Sequence, residues 1–288
     1  MIHADLLLTT GAALGEGPLW EPDSGDVIWV DIVAEQVLRT NLAVPDIRSS
    51  SIGEPVGALA RTWGGGLIGA TPTGLRKLDV PGAPVVAAFP ELDNRLRSND
   101  GKAAPDGRFV VGTMSRGTPL KGAGSLWSFG ADSAIRLVRS TTISNGLAWS
   151  GDGTTLYFID TPTQEVVAYE YDTTEGTIGG PRTVVKIDEA SGAPDGMCID
   201  AEGGLWVALW GGGAVHRYLE GRLDAVIDVP TPLVTCPAFV GDQLDLLVIT
   251  TASVGADGEG REGAGDLYVA EPGVKGAPVP PLGSWAER

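Results

Sequence analysis

Four oxygen-bearing residues stand at matching distances ahead of glycine turns. Asn99, Asn145 and Asp195 each precede a turn glycine (Gly107, Gly153, Gly203) by eight residues, and Glu16 precedes Gly25 by nine. Each opens a short apolar run, followed by the turn and then by a run rich in β-branched and aromatic residues, as in residues 193–206, APDGMCIDAEGGLW. Two carboxylates and two carboxamides at equivalent positions form an all-oxygen donor set. Such a set suits one hard divalent cation, calcium first, with magnesium, manganese or zinc as alternatives. Taken singly, each residue could instead satisfy strand-end backbone groups, as Asn and Asp do in many turns. Their recurrence at one position of a repeat is what points to a shared site.

The elements that must position them come from that repeat. Turn glycines at 25, 65, 107, 153, 203 and 241 are separated by 40, 42, 46, 50 and 38 residues, the period of a four-stranded propeller blade. Behind the turns stand strand-like runs: VIWVDI, GLIGAT, RFVVGTM, TLYFIDT, GLWVALW and LDLLVIT. With the apolar runs before the turns they read as inner hairpins, and VVAYEYD (166–172) and AVHRYLE (214–220) read as outer strands. The expected fold is all-β, a six-bladed β-propeller of four-stranded antiparallel blades around a central channel, with residues 1–288 as one domain. The N-terminal HADLLLT is expected to pair with GDLYVAE at 265–271 and close the ring, and residues 254–265 are expected to form a surface loop. Equivalent positions on inner strands then ring one end of the channel. Blades two and six place Val56 and Val234 there, so the repeat itself does not dictate a polar residue.

Composition narrows the partners. The formal net charge of −17 without any Lys/Arg cluster speaks against nucleic acid, whose binding needs clustered basic residues. No apolar run approaches the roughly 18 residues of a spanning helix, and MIHADLLLTT lacks a basic leader; a cytoplasmic protein without a membrane partner is expected. Cys198 and Cys236 have apolar neighbours and no metal-like spacing, so they read as reduced, buried thiols. The two histidines, His3 and His216, have no plausible Ser or Cys partner, and GxSxG is absent. GGGLIG at 64–69 matches GxGxxG but sits in a hairpin and opens no helix.

Four ordered motifs, LGEGPLW (14–20), RSNDGKAAPDGRFVVGTM (97–114), ISNGLAWS (143–150) and PDGMCIDAEGGLWVA (194–208), with GVKG at 273–276, closely resemble the gluconolactonase and regucalcin (senescence marker protein) family over nearly the entire chain. The resemblance implies a six-bladed propeller with one divalent cation in its channel, Glu16, Asn145 and Asp195 as metal ligands, Asp195 as catalytic acid/base, and Arg97 and Asn99 as substrate-binding residues. The implied chemistry is hydrolysis of a sugar lactone, a small-molecule substrate, to the aldonic acid. Residues 115–124, SRGTPLKGAG, depart from some relatives: Arg116 and Lys121 are present, but no carboxylate stands where those relatives carry an acidic sugar-binding residue. Two other readings use the same ring, a non-catalytic calcium- or ligand-binding propeller and a hydrolase of non-sugar esters, the latter on fold analogy alone.

Overall fold

Short strands punctuated by glycine turns dominate the computed structural model, which describes residues 2–80, 82–91, 93–131, 133–254 and 261–287. The only helical pieces among them are three 3-10 turns of three or four residues. The strands form six four-stranded antiparallel blades, blades 1 to 4 built wholly in sequence order from the channel outward, and the fold is the six-bladed β-propeller expected from the repeat. Inner strands are Gly15–Glu21, Ala58–Arg61, Leu96–Ala103, Ser144–Trp149, Ala193–Ile199 and Val234–Val240. Glu165–Asp172 and Ala214–Leu219 are third strands of blades 4 and 5, matching the runs read as outer strands.

Blade 6 takes its outermost strand from the start of the chain, where Asp5–Leu8 runs antiparallel to Leu267–Ala270. Just before it, Ile2–His3 adds in parallel to Arg222–Asp228 at the edge of blade 5. Two residues are too few to show a sequence period, which is why only the first pairing was legible. Part of the expected surface loop, residues 255–260, lies outside the described residues. No described helix is long and apolar enough to cross a membrane.

The hydrophobic core is divided among the blade interfaces. Trp206 and Phe239 meet edge to face between blades 5 and 6, with ring centroids 6.2 Å apart, and Phe89, Trp127 and Phe129 do so between blades 2 and 3. Burying one such side chain contributes about 2–3 kcal/mol, so each interface ties a blade to its neighbour. The last residues reinforce blades 2 and 3: Leu282 N donates to Arg61 O (2.7 Å) and Trp285 Nε1 to Gly107 O (2.9 Å).

Blade 5 carries a buried ion-pair network under its turn. Asp200 accepts from Arg217 Nε (2.7 Å), Trp206 Nε1 (2.8 Å) and the Gly204 and Glu202 amides. Burial alone would raise its pKa; the Arg217, Gly204 and Trp206 hydrogen bonds outweigh that and hold it below the ordinary aspartate value. A depressed carboxylate stabilises the fold above its unfolded pKa and loses that contribution as pH falls through the folded value. Asp200→Asn is therefore expected to lower unfolding free energy by about 3 kcal/mol at pH 7, with the gap to wild type narrowing in acid. Replacing the exposed partner Glu202 by Ala should change it by less than about 1 kcal/mol. Urea denaturation at several pH values measures both.

Candidate functional site

In a propeller the faces of each sheet pack on neighbouring blades. A regular inner strand therefore sends its side chains into the blade interfaces and shows the channel only its backbone edge. Five of the six inner strands break this rule with a β-bulge, one extra residue against the partner strand. The irregularities fall between Glu16 and Leu19, Ser98 and Gly101, Asn145 and Leu147, Pro194 and Met197, and Val234 and Cys236. Blade 2 pairs regularly. All four ring positions read from the sequence, Glu16, Asn99, Asn145 and Asp195, sit at these bulges, which re-aim side chains. All four are buried.

Neighbouring residues fix the bulges. Asp31, ending the second strand of blade 1, accepts from the Ala13 and Leu14 amides just ahead of Glu16. Asp160 in blade 4 holds the Thr142 and Ile143 amides just ahead of Asn145. Gly146 lets the inner strands of blades 4 and 5 approach closely, since a Cβ there would lie 2.5 Å from Ile159 Cδ1 and 2.8 Å from Asp195 O. Gly17, with φ +54°, supplies the left-handed turn beside Glu16 and donates its N–H to that carboxylate.

A directional chain of hydrogen bonds links three blades. Arg97 Nη1 donates to Asn99 Oδ1 (2.7 Å) and to Ser98 O (2.9 Å). Asn99 Nδ2 donates to Asn145 Oδ1 (2.7 Å) and Ser144 O (3.0 Å). Asn145 Nδ2 donates to Thr161 Oγ1 (2.8 Å), whose own hydroxyl donates to Pro194 O (2.8 Å). Because Thr161 spends its proton on Pro194, it can only accept from Asn145, which sets the Asn145 amide with its oxygen toward Asn99. Both Asn99 amide hydrogens are committed to blade 4, and its oxygen accepts from the Arg97 guanidinium, whereas the Asn145 oxygen accepts from the neutral Asn99 amide.

The electrostatics are strained. Glu16 is pushed well above the ordinary carboxylate range by burial, then by Asp195 and Asp100; Asp195 is pushed up by burial and Asp100, with Arg97 and Asn145 opposing. Burial also raises Asp100, against Lys102 and the Gly101 amide. Arg97 is itself pulled down by burial, while Glu16 and Asp195 pull it back. Among the described residues no three His, Cys, Asp or Glu side chains group as a metal site. A cation here would need two carboxylates completed by amide or water oxygens, and Glu16, Asp195 and Asn145 match that description.

Asp100, Lys102 and Thr161 escaped the sequence reading. Strict alternation turns Asp100 away once Asn99 faces the channel; the bulge defeats it and buries both together. Lys102 spans the channel to donate to Met197 O (2.6 Å), tying blade 3 to the strand of Asp195. The dipeptide Asp160-Thr161 was the available signal, a polar pair ending a strand. Beyond Asp100 and Lys102, at the turn end, lies a cavity of about 560 Å³ walled by Trp20, Leu59, Trp149 and Phe239.

Residues 14–253 match the SMP-30/Gluconolactonase/LRE-like region. The chain belongs to this family. Regucalcin of Xenopus laevis is 35% identical over 288 residues, 96% of each chain. A Bacillus subtilis protein, YvrE, named as a candidate sugar lactone lactonase, is 37% identical over 258 residues, 88% of each chain. Among solved structures, a calcium-binding protein, regucalcin, from Agrobacterium tumefaciens superposes with a TM-score of 0.90 at 30% identity, covering 98% of this chain and 97% of its own.

Raised carboxyl pKa values carry a stability signature. Between the ordinary and the raised pKa the folded protein binds more protons than the unfolded chain, so stability falls as pH rises through that window. Glu16→Gln removes one buried charge. In chelator-treated protein it is expected to raise Tm above wild type at pH 8, by several degrees for about 1–2 kcal/mol, and to change it little at pH 4. Thermal melts at both pH values in excess chelator test this.

Proposed function

We propose that this is a cytoplasmic enzyme that holds one divalent cation on Glu16, Asn145 and Asp195 and hydrolyses a sugar lactone to the aldonic acid. The observation that carries the reading is the convergence of these three oxygen donors from bulges on three blades, in a chain whose relatives include a candidate sugar lactone lactonase. The donor chemistry fits: two buried carboxylates repel each other and Asp100, so a divalent positive charge between them offsets an excess that Arg97 alone does not. Calcium suits the all-oxygen set, and the regucalcin from Agrobacterium tumefaciens is described as calcium-binding. Free, buried Cys198 and Cys236 fit a reducing compartment.

When bound, the cation supplies Lewis acidity toward the lactone carbonyl and acidifies water. Asp195 takes the proton of the attacking water as its oxygen bonds to the carbonyl carbon, and returns a proton to the ring oxygen as the C–O bond breaks. Burial favours this role, because it makes the carboxylate more basic than one in water. Arg97 is anchored through one nitrogen to Ser98 O and Asn99, leaving its other nitrogens to hold substrate hydroxyls or developing negative charge. Asn99 serves the substrate through Arg97, and fixes Asn145 through its other end.

A binding propeller without turnover uses the same donors, and the description of the Agrobacterium protein as calcium-binding favours keeping it as the second reading. Proton release from glucono- and xylonolactone, measured against the spontaneous rate, separates the two. Wild type should exceed that rate and lose the excess on chelation, and Asp195→Asn should lose about 100-fold or more in kcat. Catalysis surviving both treatments would reject the mechanism; calcium binding by calorimetry with no excess rate would select the binding reading.

A further inference from the structure

At the ring end of the channel a groove of about 270 Å³ opens beside Arg97 and runs outward over blade 3. Arg136 and Arg139 also line it, in a chain with only 20 basic residues against 37 acidic ones. Two carboxylates share the groove, Glu91 and Asp93, and both are committed. Glu91 pairs with Arg136, whose guanidinium also lies over Trp127 at 4.4 Å. Asp93 accepts from Arg95 through both oxygens, at 2.6–3.1 Å.

Arg97 and Arg139 form no ion pair among the described residues, although Arg139 lies near Glu91. Arg116 leaves the second strand of blade 3 and folds back, its Nε donating to Leu96 O at 3.0 Å. That brings its charge close enough to Arg97 to disfavour a second guanidinium there, burial being the larger effect. It too has no ion-pair partner among the described residues. The carboxylates facing Arg97 from blades 1 and 5 are Glu16 and Asp195, the pair assigned above to the cation. Arg97 and Arg139 thus line one groove, with Arg116 near Arg97, and none of the three has an ion-pair partner among the described residues.

Resting on the lactonase reading, we infer that the substrate is an acidic sugar lactone, whose carboxylate or phosphate lies in this groove against Arg97 and Arg139, with Arg116 adding its charge from beside Arg97, while its lactone carbonyl faces Glu16, Asn145 and Asp195. Guanidinium forks bind both anions in a planar, two-point fashion. On a protein of net charge −17, an anionic substrate needs such a local reversal of potential to dock. The segment 115–124 then has a use for its basic residues, since it carries Arg116 and its end, from Gly122, walls the groove.

The test compares kcat/KM for D-glucono-1,5-lactone, its freshly prepared 6-phosphate and D-glucaro-1,4-lactone, each corrected for spontaneous opening, in wild type, Arg116→Gln and Arg139→Gln. Wild type should favour at least one acidic lactone by about tenfold or more, mostly through KM, and each substitution should reduce that preference by about tenfold. Which acid is favoured distinguishes phosphate from carboxylate. Equal or better turnover of the neutral lactone, or a preference unchanged in both variants, would overturn the inference and leave the lactonase reading standing. No turnover of any lactone above the control would remove both.

Discussion

The constraint on which this molecule turns is the burial of like charges. Glu16, Asp100 and Asp195 lie within one another's fields in a channel wall largely shielded from solvent, and an ionised carboxylate taken out of water without compensation costs on the order of several kcal/mol. Arg97 from one side and Lys102 from the other offset part of that charge, leaving an excess that protons or a cation can take up. A propeller tolerates such a centre because its stability resides elsewhere, in six apolar blade interfaces.

Precision at the centre comes from combining a regular scaffold with local irregularity. The ladder strands fix each blade, the bulge rotates a side chain out of the interface, and a carboxylate such as Asp31 or Asp160 pins the approach to the bulge. The chain from Arg97 to Pro194 then orients the amides, so each polar atom is determined by its neighbour. A defect in one bond would propagate to the next, because Asn99 and Asn145 each have one way to satisfy both partners.

How much of this was legible follows from which forces act locally. Glycine turns and β-branched runs act over a few residues, so the six blades and the inner-strand equivalence of Glu16, Asn99, Asn145 and Asp195 could be counted off the chain. The bulges could not: an extra residue is visible only against the partner strand, and without it the alternation rule hid Asp100 beside Asn99. Lys102 was hidden for a different reason, since its bond to Met197 crosses between blades 95 residues apart. Spacing also grouped Asn99 with Glu16, Asn145 and Asp195 but could not show that its amide bridges Arg97 and Asn145.

The pairing of Asp5–Leu8 with Leu267–Ala270 bears on the order in which the molecule is made. Blade 6 needs a strand synthesised at the beginning and another made roughly 260 residues later, and Ile2–His3 waits similarly for Arg222–Asp228. Blades 1 to 4 contain all their own strands and can form as the chain emerges, by short-range contacts that close quickly. Blades 6 and 1 also meet directly, Thr235 Oγ1 donating to Gly15 O, and every such contact spans more than 200 residues, so until blade 6 is made Asp5–Leu8 remains an unpaired edge strand, exposed to mispairing.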